Sequence, residues 1–447
     1  MTSSWTPSSW RSRPIKHQPP WPDAPELDEA LKTLSHLPPL VFAGEARNLT
    51  EQLGRVANGE AFLLQAGDCA ESFESTSDSI RDRLRVLLQM AIVLTYSAGL
   101  PVVKVGRIAG QYGKPRSSSS EVRDGVELPS FFGHNVNDIG FTQEQRRPDP
   151  QRLLTGYHRS ASTLNLLRAF TRGGYADLRQ ISTWNREFVA SSPAGERYQA
   201  MADEIDRALR FMEACGLSSE IVPALSEVDL FTSHEALILD YEEALTRQDS
   251  LTNDWYDCSG HMLWIGERTR QLDGAHVEFL RGVHNPLGCK VGPTASADEV
   301  LGICEALNPT KIPGRLTLIS RMGADKVAET LPPLLAAVRD AGHPVVWSCD
   351  PMHGNTYTAE GGHKTRHFDR ILDEIGGFFA AHQSEGTWAG GIHVELTGDS
   401  VTECVGGGDG IEESTLSEAY ETMCDPRLNG RQSVDLAFMV AEHLTGQ

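Results

Sequence analysis

Short apolar runs in this chain of 447 residues repeatedly end in a residue that can ionise, bind a metal or act as a nucleophile. The clearest run, Val345, Val346 and Trp347, is followed closely by Asp350 and His353 in a loop that also contains glycine and proline. A buried strand that delivers such residues into a loop is typical of α/β enzymes. A well-bonded histidine in a core strand is the alternative for any single stretch. The pattern recurs, however, and its members are Cys69, Arg107, Glu235, Glu267, Arg268, Lys290, Arg321, His353 and Glu395.

Cations form one group among these residues, and two more follow closely in the stretch KPRS. Guanidinium groups bind phosphate and carboxylate oxygens through paired hydrogen bonds, so the group predicts a small substrate with several anionic charges. Salt bridges to nearby acids are the alternative for single members such as Arg116 or Arg123. The cations of the group are Arg107, Arg268, Lys290, Arg321, Lys114 and Arg116.

A second group offers one thiolate, one imidazole and two carboxylates: Cys69, His353, Glu395 and Asp425, the last from the stretch CDPRLN. Four such donors can bind a divalent metal ion. The mixture of sulfur, nitrogen and oxygen does not select among manganese, cobalt, iron and zinc. The four residues lie far apart in the sequence, and others, such as Asp350, could serve equally well, so spacing alone leaves the choice of ligands open.

Eight apolar runs, most of them separated by amphipathic helical patterns, must position these residues. Such alternation predicts an α/β fold in which parallel strands close into a (β/α)8 TIM barrel. We predict an N-terminal extension at 1–58, a barrel at 59–447 and a helical insertion at about 118–226, after the second strand. The predicted strands are 61–67, 101–106, 227–231, 262–266, 287–289, 315–320, 345–347 and 390–394.

Composition narrows the class of protein. The net charge of −21, from 61 acidic and 40 basic residues, argues against a broad nucleic-acid surface. No apolar run reaches the roughly 18 residues of a membrane span, and the N-terminus lacks the apolar part of a secretory signal. The 8 cysteines are scattered, as expected for reduced thiols. We therefore predict a cytoplasmic protein with neither a nucleic-acid nor a membrane partner.

The longer motifs resemble those of the class II 3-deoxy-D-arabino-heptulosonate 7-phosphate (DAHP) synthases of plants and actinobacteria. The resemblance runs from about residue 59 to the C-terminus, whereas the N-terminal stretch and 118–147 match least. The matching stretches are LLQAGDCAESF, VVKVGRIAGQYGKPRS, TSHEAL, WIGERTRQ, KVGP, RLTLISRMG, CDPMHGNT, KTRHFD, GGIHVELTG, VTEC and YETMCDPRLN.

The resemblance implies a (β/α)8 barrel that condenses phosphoenolpyruvate with erythrose 4-phosphate, the first step of the shikimate pathway. It also implies one divalent metal ion, manganese in the first instance, with cobalt, iron or zinc as alternatives. Lys290 and Glu267 are the residues expected to transfer protons, and Glu235 and Trp264 would line the pocket near the attacking water. By position, the resemblance implies that the metal ligands are Cys69, His353, Glu395 and Asp425. The residues that would contact phosphoenolpyruvate are Arg107, Glu267, Arg268, Lys290 and Arg321. Those that would contact the phosphate of erythrose 4-phosphate are Lys114, Arg116 and Ser117.

Two other functions stay open at this point. Class II relatives also make the amino-sugar analogue aminoDAHP for secondary metabolism, and a barrel retained as a non-catalytic regulator would keep much of the same sequence. The resemblance further implies a homo-oligomer, either a dimer or a tetramer. It leaves chorismate mutase as a candidate partner and aromatic amino acids as candidate feedback inhibitors.

Overall fold

A closed barrel of eight parallel strands forms the centre of the computed structural model, which describes residues 5–116, 118–191, 195–217 and 227–445. The first and last strands pair with each other, and every other strand pairs with its neighbours along the chain. The predicted (β/α)8 barrel is therefore confirmed. In chain order the strands are β1 (Phe62–Gly67), β2 (Val102–Arg107), β3 (Phe231–Glu235), β4 (Met262–Ile265), β5 (Leu287–Val291), β6 (Leu316–Ser320), β7 (Val346–Cys349) and β8 (Gly391–Glu395).

Helices surround the barrel and connect its strands. The helix after β1 begins at an N-cap threonine, Thr76, whose side chain accepts a hydrogen bond from the Ser79 backbone, and its C-cap, Gly99, has a left-handed φ of +61°. The helices are α1 (Ala24–His36), α2 (Ala43–Ala57), α3 (Ser77–Ala98), α4 (Gln143–Arg146), α5 (Gln151–Arg172), α6 (Leu178–Ser191), α7 (Gly195–Ala214), α8 (Leu239–Leu245), α9 (Ala275–Leu280), α10 (Ala297–Leu307), α11 (Val327–Asp340), α12 (Phe368–Glu385) and α13 (Gly430–Leu444).

The third strand lies later than predicted. The sequence pattern assigned it to 227–231, but β3 begins at Phe231, which pairs with Val105 of β2. Residues 227–230 alternate between exposed and half-buried positions and make no strand pairing. Val228 and Leu230 alternate with acidic residues as in a half-buried strand, but the strand is the more continuously buried segment that follows.

The long interval after β2 contains α4 to α7, as its helical patterns predicted, and also a β-hairpin that was not predicted. The hairpin strands, Ser120–Arg123 and Val126–Pro129, are joined by Asp124 and Gly125, both with positive φ. An Asp-Gly pair is a strong hairpin signal and could have identified this turn from the sequence.

The N-terminal helix α2 closes the barrel at the amino ends of the strands. Its residues Leu49, Leu53 and Val56 are fully buried in one apolar cluster with barrel residues that include Leu63 and Val346. These contacts leave the strands' carboxyl ends as the open end of the barrel. The division of the chain at residue 58 and the limits of the insertion stay predictions.

The predictions about membrane spans and about cysteines can be compared with the described residues. None of the described helices combines the length and the apolar character that a membrane span needs. All eight cysteines are free thiols, and only Cys215 and Cys424 among them are not buried. The cysteines therefore form no disulfide framework, as their spacing predicted.

Candidate active site

The carboxyl ends of the barrel strands, which we call the mouth, bring predicted site residues together. Arg107 is the last residue of β2 and Glu395 the last of β8, and both pair in register with Gly67 at the end of β1. Gly67 has a φ of +148°, and a Cβ built on it would lie 2.5 Å from the Arg107 carbonyl oxygen. Only glycine lets the backbone of β2 approach β1 this closely.

Three of the four predicted metal ligands meet at the mouth. Ligand atoms of Cys69, Glu395 and Asp425 all lie within 4.8 Å of one another. Asp425 belongs to the loop between β8 and α13, and its backbone N–H donates to Cys69 Sγ at 3.3 Å. Burial raises the pKa of the Cys69 thiol. Burial also disfavours the ionised form of Glu395, but nearby cations outweigh it and hold the pKa of that carboxyl well below its usual value.

His353, the fourth predicted ligand, lies beside this cluster. Its Nε2 atom is 3.2 Å from Glu395 Oε1. Its Nδ1 atom is 2.8 Å from Asp350 Oδ2, and Asp350 is fully buried. A carboxylate bonded to one ring nitrogen fixes the imidazole and directs the other nitrogen toward a metal. Asp350 therefore holds the ring of His353 in place.

Lys114 lies among the predicted metal ligands and not apart from them. Its Nζ atom is 3.0 Å from Cys69 Sγ and 2.9 Å from Asp425 Oδ2. Its distance to Glu395 Oε1 is 3.9 Å. A thiol and two carboxylates that gather around one ammonium group are also a suitable environment for a metal cation.

Two further cations, Arg107 and Lys290, lie buried beside the predicted metal ligands. Arg107 Nη2 donates to Glu395 Oε1 at 2.9 Å, and the guanidinium carbon is 5.1 Å from the centre of the Trp264 ring. Lys290 Nζ is 2.7 Å from Asp350 Oδ2. Burial lowers the pKa of Lys290 in spite of this ion pair, and the charge of Arg107 adds to the effect. The ammonium group of Lys290 is therefore a better proton donor than a lysine in water.

Arg321 and Arg268 extend the group of cations toward solvent. Arg321 Nη2 donates to the His353 carbonyl oxygen at 3.0 Å, and Arg268 Nη1 donates to the Pro115 carbonyl oxygen at 3.2 Å. Glu267 accepts hydrogen bonds from Arg270 and from the Gly292 backbone, so its carboxylate is partly occupied by structural contacts.

The remaining predicted residues have different surroundings. Glu235 Oε1 is buried and has no hydrogen-bond partner among the described residues. Arg116 forms an ion pair with Glu121 of the hairpin at 2.8 Å, which is the salt-bridge alternative that its sequence context left open. Ser117 lies outside the described residues.

Three residues of the mouth or just below it were not singled out from the sequence. Arg366 Nη2 is 2.9 Å from Glu395 Oε2. His393 of β8 contacts Arg107 through Nε2, and Gln65 of β1 bonds His393 in turn. Gln65 and His393 could have been recognised in the sequence, because each is a polar residue inside an otherwise apolar strand. A polar side chain that faces the barrel interior needs a hydrogen-bond partner there.

Comparisons with known proteins show the family of the chain. The model of the Class-II DAHP synthetase family matches residues 5–441. A Streptomyces coelicolor protein named phospho-2-dehydro-3-deoxyheptonate aldolase is 59% identical over 99% of this chain and 98% of its own. A Mycolicibacterium smegmatis protein of the same name is 50% identical over 97% of this chain and 93% of its own. A truncated DAHP synthase structure from Thermotoga maritima aligns over 76% of both chains at 14% identity, with a TM-score of 0.31, too low to carry a conclusion.

Proposed function

The chain belongs to the class-II DAHP synthetase family, and we propose that the mouth of its barrel is the catalytic site of that family's reaction. The reaction condenses phosphoenolpyruvate with erythrose 4-phosphate and water to give DAHP and phosphate, the first step of aromatic amino acid biosynthesis. The observation that carries the proposal is the convergence of Cys69, Glu395 and Asp425 beside the buried cations Arg107 and Lys290.

The family implies a divalent metal ion, and the residues present fit one. We assign its ligands as Cys69, His353, Glu395 and Asp425. Glu395 Oε2 is buried without a hydrogen bond among the described residues, although Arg366 is close to it. A bound cation would favour the thiolate form of Cys69, which burial alone disfavours. When bound, the ion would polarise the aldehyde oxygen of erythrose 4-phosphate. We propose manganese, with cobalt, iron and zinc as alternatives that the donor set also accepts.

The cations of the mouth would hold the two substrates. Arg107, Lys290 and Arg321, with Arg268 and Glu267, would bind the phosphate and carboxylate of phosphoenolpyruvate. The phosphate of erythrose 4-phosphate would bind to Lys114, Arg116 and Ser117. The contacts of Lys114 with Cys69 and of Arg116 with Glu121 imply that these two side chains exchange partners when that substrate binds.

Carbon 3 of phosphoenolpyruvate then attacks the aldehyde carbon, and positive character develops on carbon 2. Water adds to carbon 2, and the resulting tetrahedral carbon loses phosphate. Glu235 would bind this water. The proposal is supported by its Oε1 atom, which is buried and has no hydrogen-bond partner among the described residues. Trp264 would line the same pocket. Because burial lowers the pKa of Lys290, we propose its ammonium group as the proton donor of the reaction. Glu267 would assist the proton transfer.

The experiment measures phosphate release from phosphoenolpyruvate with metal-stripped and metal-reloaded protein. Release should require both the metal and erythrose 4-phosphate. Cys69→Ala and His353→Ala should lose both bound metal and activity. Cys304→Ala, a buried thiol on α10, should lose neither. Full activity and unchanged metal content in Cys69→Ala would contradict the ligand assignment.

The assembly and location of the protein are separate proposals that rest on the family resemblance. We propose a cytoplasmic homo-oligomer, a dimer or a tetramer, with chorismate mutase as the candidate partner. Light scattering of the purified protein would give its mass in solution. Elution of the two enzymes as one complex from a sizing column would support the partnership, and separate elution at micromolar concentrations would argue against it.

A further inference from the structure

A line of hydrogen bonds crosses the barrel interior just below the mouth and ends on Arg107. Ser233 Oγ is 3.1 Å from the Gly106 carbonyl oxygen, and Gln65 Nε2 is 3.0 Å from Ser233 Oγ. His393 Nδ1 is 2.8 Å from Gln65 Oε1. The line is completed by the contact between His393 Nε2 and Arg107 Nη1. Every side chain in it is buried.

Donor and acceptor chemistry allows one arrangement of protons along this line. The guanidinium of Arg107 can only donate, so Nε2 of His393 must accept. The ring proton therefore lies on Nδ1 and is donated to the Gln65 carbonyl oxygen. The Gln65 amide donates in turn to the hydroxyl of Ser233, which donates to the Gly106 backbone. Each group thus fixes the role of the next one.

The contact with His393 is one of three hydrogen bonds that hold the Arg107 guanidinium. Nε donates to the Asp68 carbonyl oxygen at 3.0 Å, and Nη2 donates to Glu395 Oε1 at 2.9 Å. The Trp264 ring lies against the group. Three of its five N–H groups are used in this way, and the other two have no partner among the described residues and are free for an anionic ligand.

We infer that His393, held by Gln65, is a positioning residue that fixes the Arg107 guanidinium for binding phosphoenolpyruvate. Without the acceptor at Nε2, the guanidinium could rotate and use its free N–H groups on the carboxylate of Glu395. Its fork would then be turned away from the substrate. This inference rests on the proposed role of Arg107, because His393 acts only through that side chain.

The test compares two substitutions at His393 with a matched control. His393→Leu removes the acceptor, whereas His393→Gln has an amide of similar reach and retains one. Loss of a hydrogen bond to a charged group should raise the KM for phosphoenolpyruvate about ten- to a hundredfold in His393→Leu. The KM for erythrose 4-phosphate should stay unchanged, and His393→Gln should recover most of the affinity. His382→Leu, a buried histidine on α12 bonded to Thr387, should change neither KM.

A calorimetric measurement of phosphoenolpyruvate binding, made without the second substrate, separates the inference from the proposed function. If Arg107→Lys binds phosphoenolpyruvate weakly but His393→Leu binds it as tightly as the parent protein, the inference is overturned and the proposed function stands. Parental binding by Arg107→Lys would overturn both. An equal rise of both KM values in His393→Leu, without recovery in His393→Gln, would indicate a merely structural role and overturn the inference.

The tautomer provides a readout that does not depend on activity. Nitrogen NMR spectra of histidine-labelled protein should show a neutral ring protonated at Nδ1, and this signal should be missing from His393→Gln. Other rings, such as His353 beside Asp350, also hold a proton on Nδ1, so the signal is assigned to His393 by its loss in His393→Gln. A His393 ring protonated at Nε2 would overturn the inference.

Discussion

Replacing Asp350 by asparagine would remove one negative charge below the mouth with almost no change in shape. The Asp350 carboxylate is fully buried, and its Oδ2 atom lies 2.7 Å from Lys290 Nζ and 2.8 Å from His353 Nδ1. An asparagine carries no charge, so it cannot neutralise Lys290. If its oxygen takes the place of Oδ2, its NH2 group faces the Met352 and His353 backbone N–H groups, which now donate to Oδ1. Asp350→Asn therefore loses the ion pair and the hydrogen bonds that hold the carboxylate against His353.

The size of the effect follows from these two contacts. Removal of one partner from a buried ion pair costs about 3 to 5 kcal/mol. Lys290 can release its proton, since burial already lowers its pKa, so we expect the lower end of that range, about 3 kcal/mol, for the loss in unfolding free energy. Loss of the partner that orients a metal-binding histidine costs about 10- to 100-fold in metal affinity.

Two measurements check this prediction. Urea unfolding gives the change in stability, and competition with a chelator gives the metal affinity. Asp340→Asn is the matched control, because Asp340 makes the same type of contact, with Arg339, at an exposed site on α11. Asp350→Asn protein with the metal affinity and the stability of the parent would refute the argument that this carboxylate orients His353 and compensates Lys290.

Three further predictions concern pH, the first strand and the metal. Burial lowers the pKa of His382 to about 3, so the folded protein excludes a proton that the unfolded chain binds below its ordinary value of 6.5. The unfolding free energy should fall as the pH drops from about 6.5 to about 3, and His382→Leu should flatten this decline by up to about 1.4 kcal/mol per pH unit in urea titrations. Gly67→Ala should displace Arg107 and raise the KM for phosphoenolpyruvate in steady-state assays, because the new methyl group would lie 2.5 Å from the Arg107 carbonyl oxygen. Metal at a hundred times its Kd should raise the unfolding free energy by about 2.7 kcal/mol in thermal melts of the parent, but not of Cys69→Ala.

A control or a contradicting outcome accompanies each of these three predictions. His276, which burial also holds neutral, remains in His382→Leu, so only part of the acid sensitivity should disappear. Gly99→Ala introduces a methyl group at another glycine of positive φ where nothing lies within 4 Å, so it should cost stability without changing either KM. A Cys69→Ala melt that responds to metal as the parent does would argue that the stabilising ion binds elsewhere.

The sequence identified the mouth because a barrel places the ends of all its strands on one side. Arg107 and Glu395 were expected at strand ends, and they are the last residues of β2 and β8. The pattern of apolar runs is sufficient for such a prediction, since it depends on strand order alone. The choice of Asp425 needed the family resemblance, because a loop residue more than 350 positions from Cys69 carries no periodic signal.

Contacts inside the barrel could not be predicted in the same way. Gln65 and His393 meet because β1 and β8 pair in a particular register, and a slip of either strand by one residue would turn the side chain of that strand outward. The position of Lys114 among three acidic groups likewise depends on how the loops after β2 and β8 fold over the mouth. Register and loop packing are set by the whole structure, so local sequence patterns do not report them.

The separation of the proposed metal ligands along the chain also sets the order in which the enzyme can mature. Cys69 and Asp425 are 356 positions apart and meet only through the strand pair that closes the barrel. At ribosomal rates of about 5 to 20 residues per second, synthesis of the intervening chain takes about 20 to 70 s. During that interval the thiol of Cys69 has no carboxylate neighbour from the end of the chain. Binding of a metal at the proposed site would therefore follow barrel closure, and a nascent chain stalled before residue 425 would lack the complete set of proposed ligands.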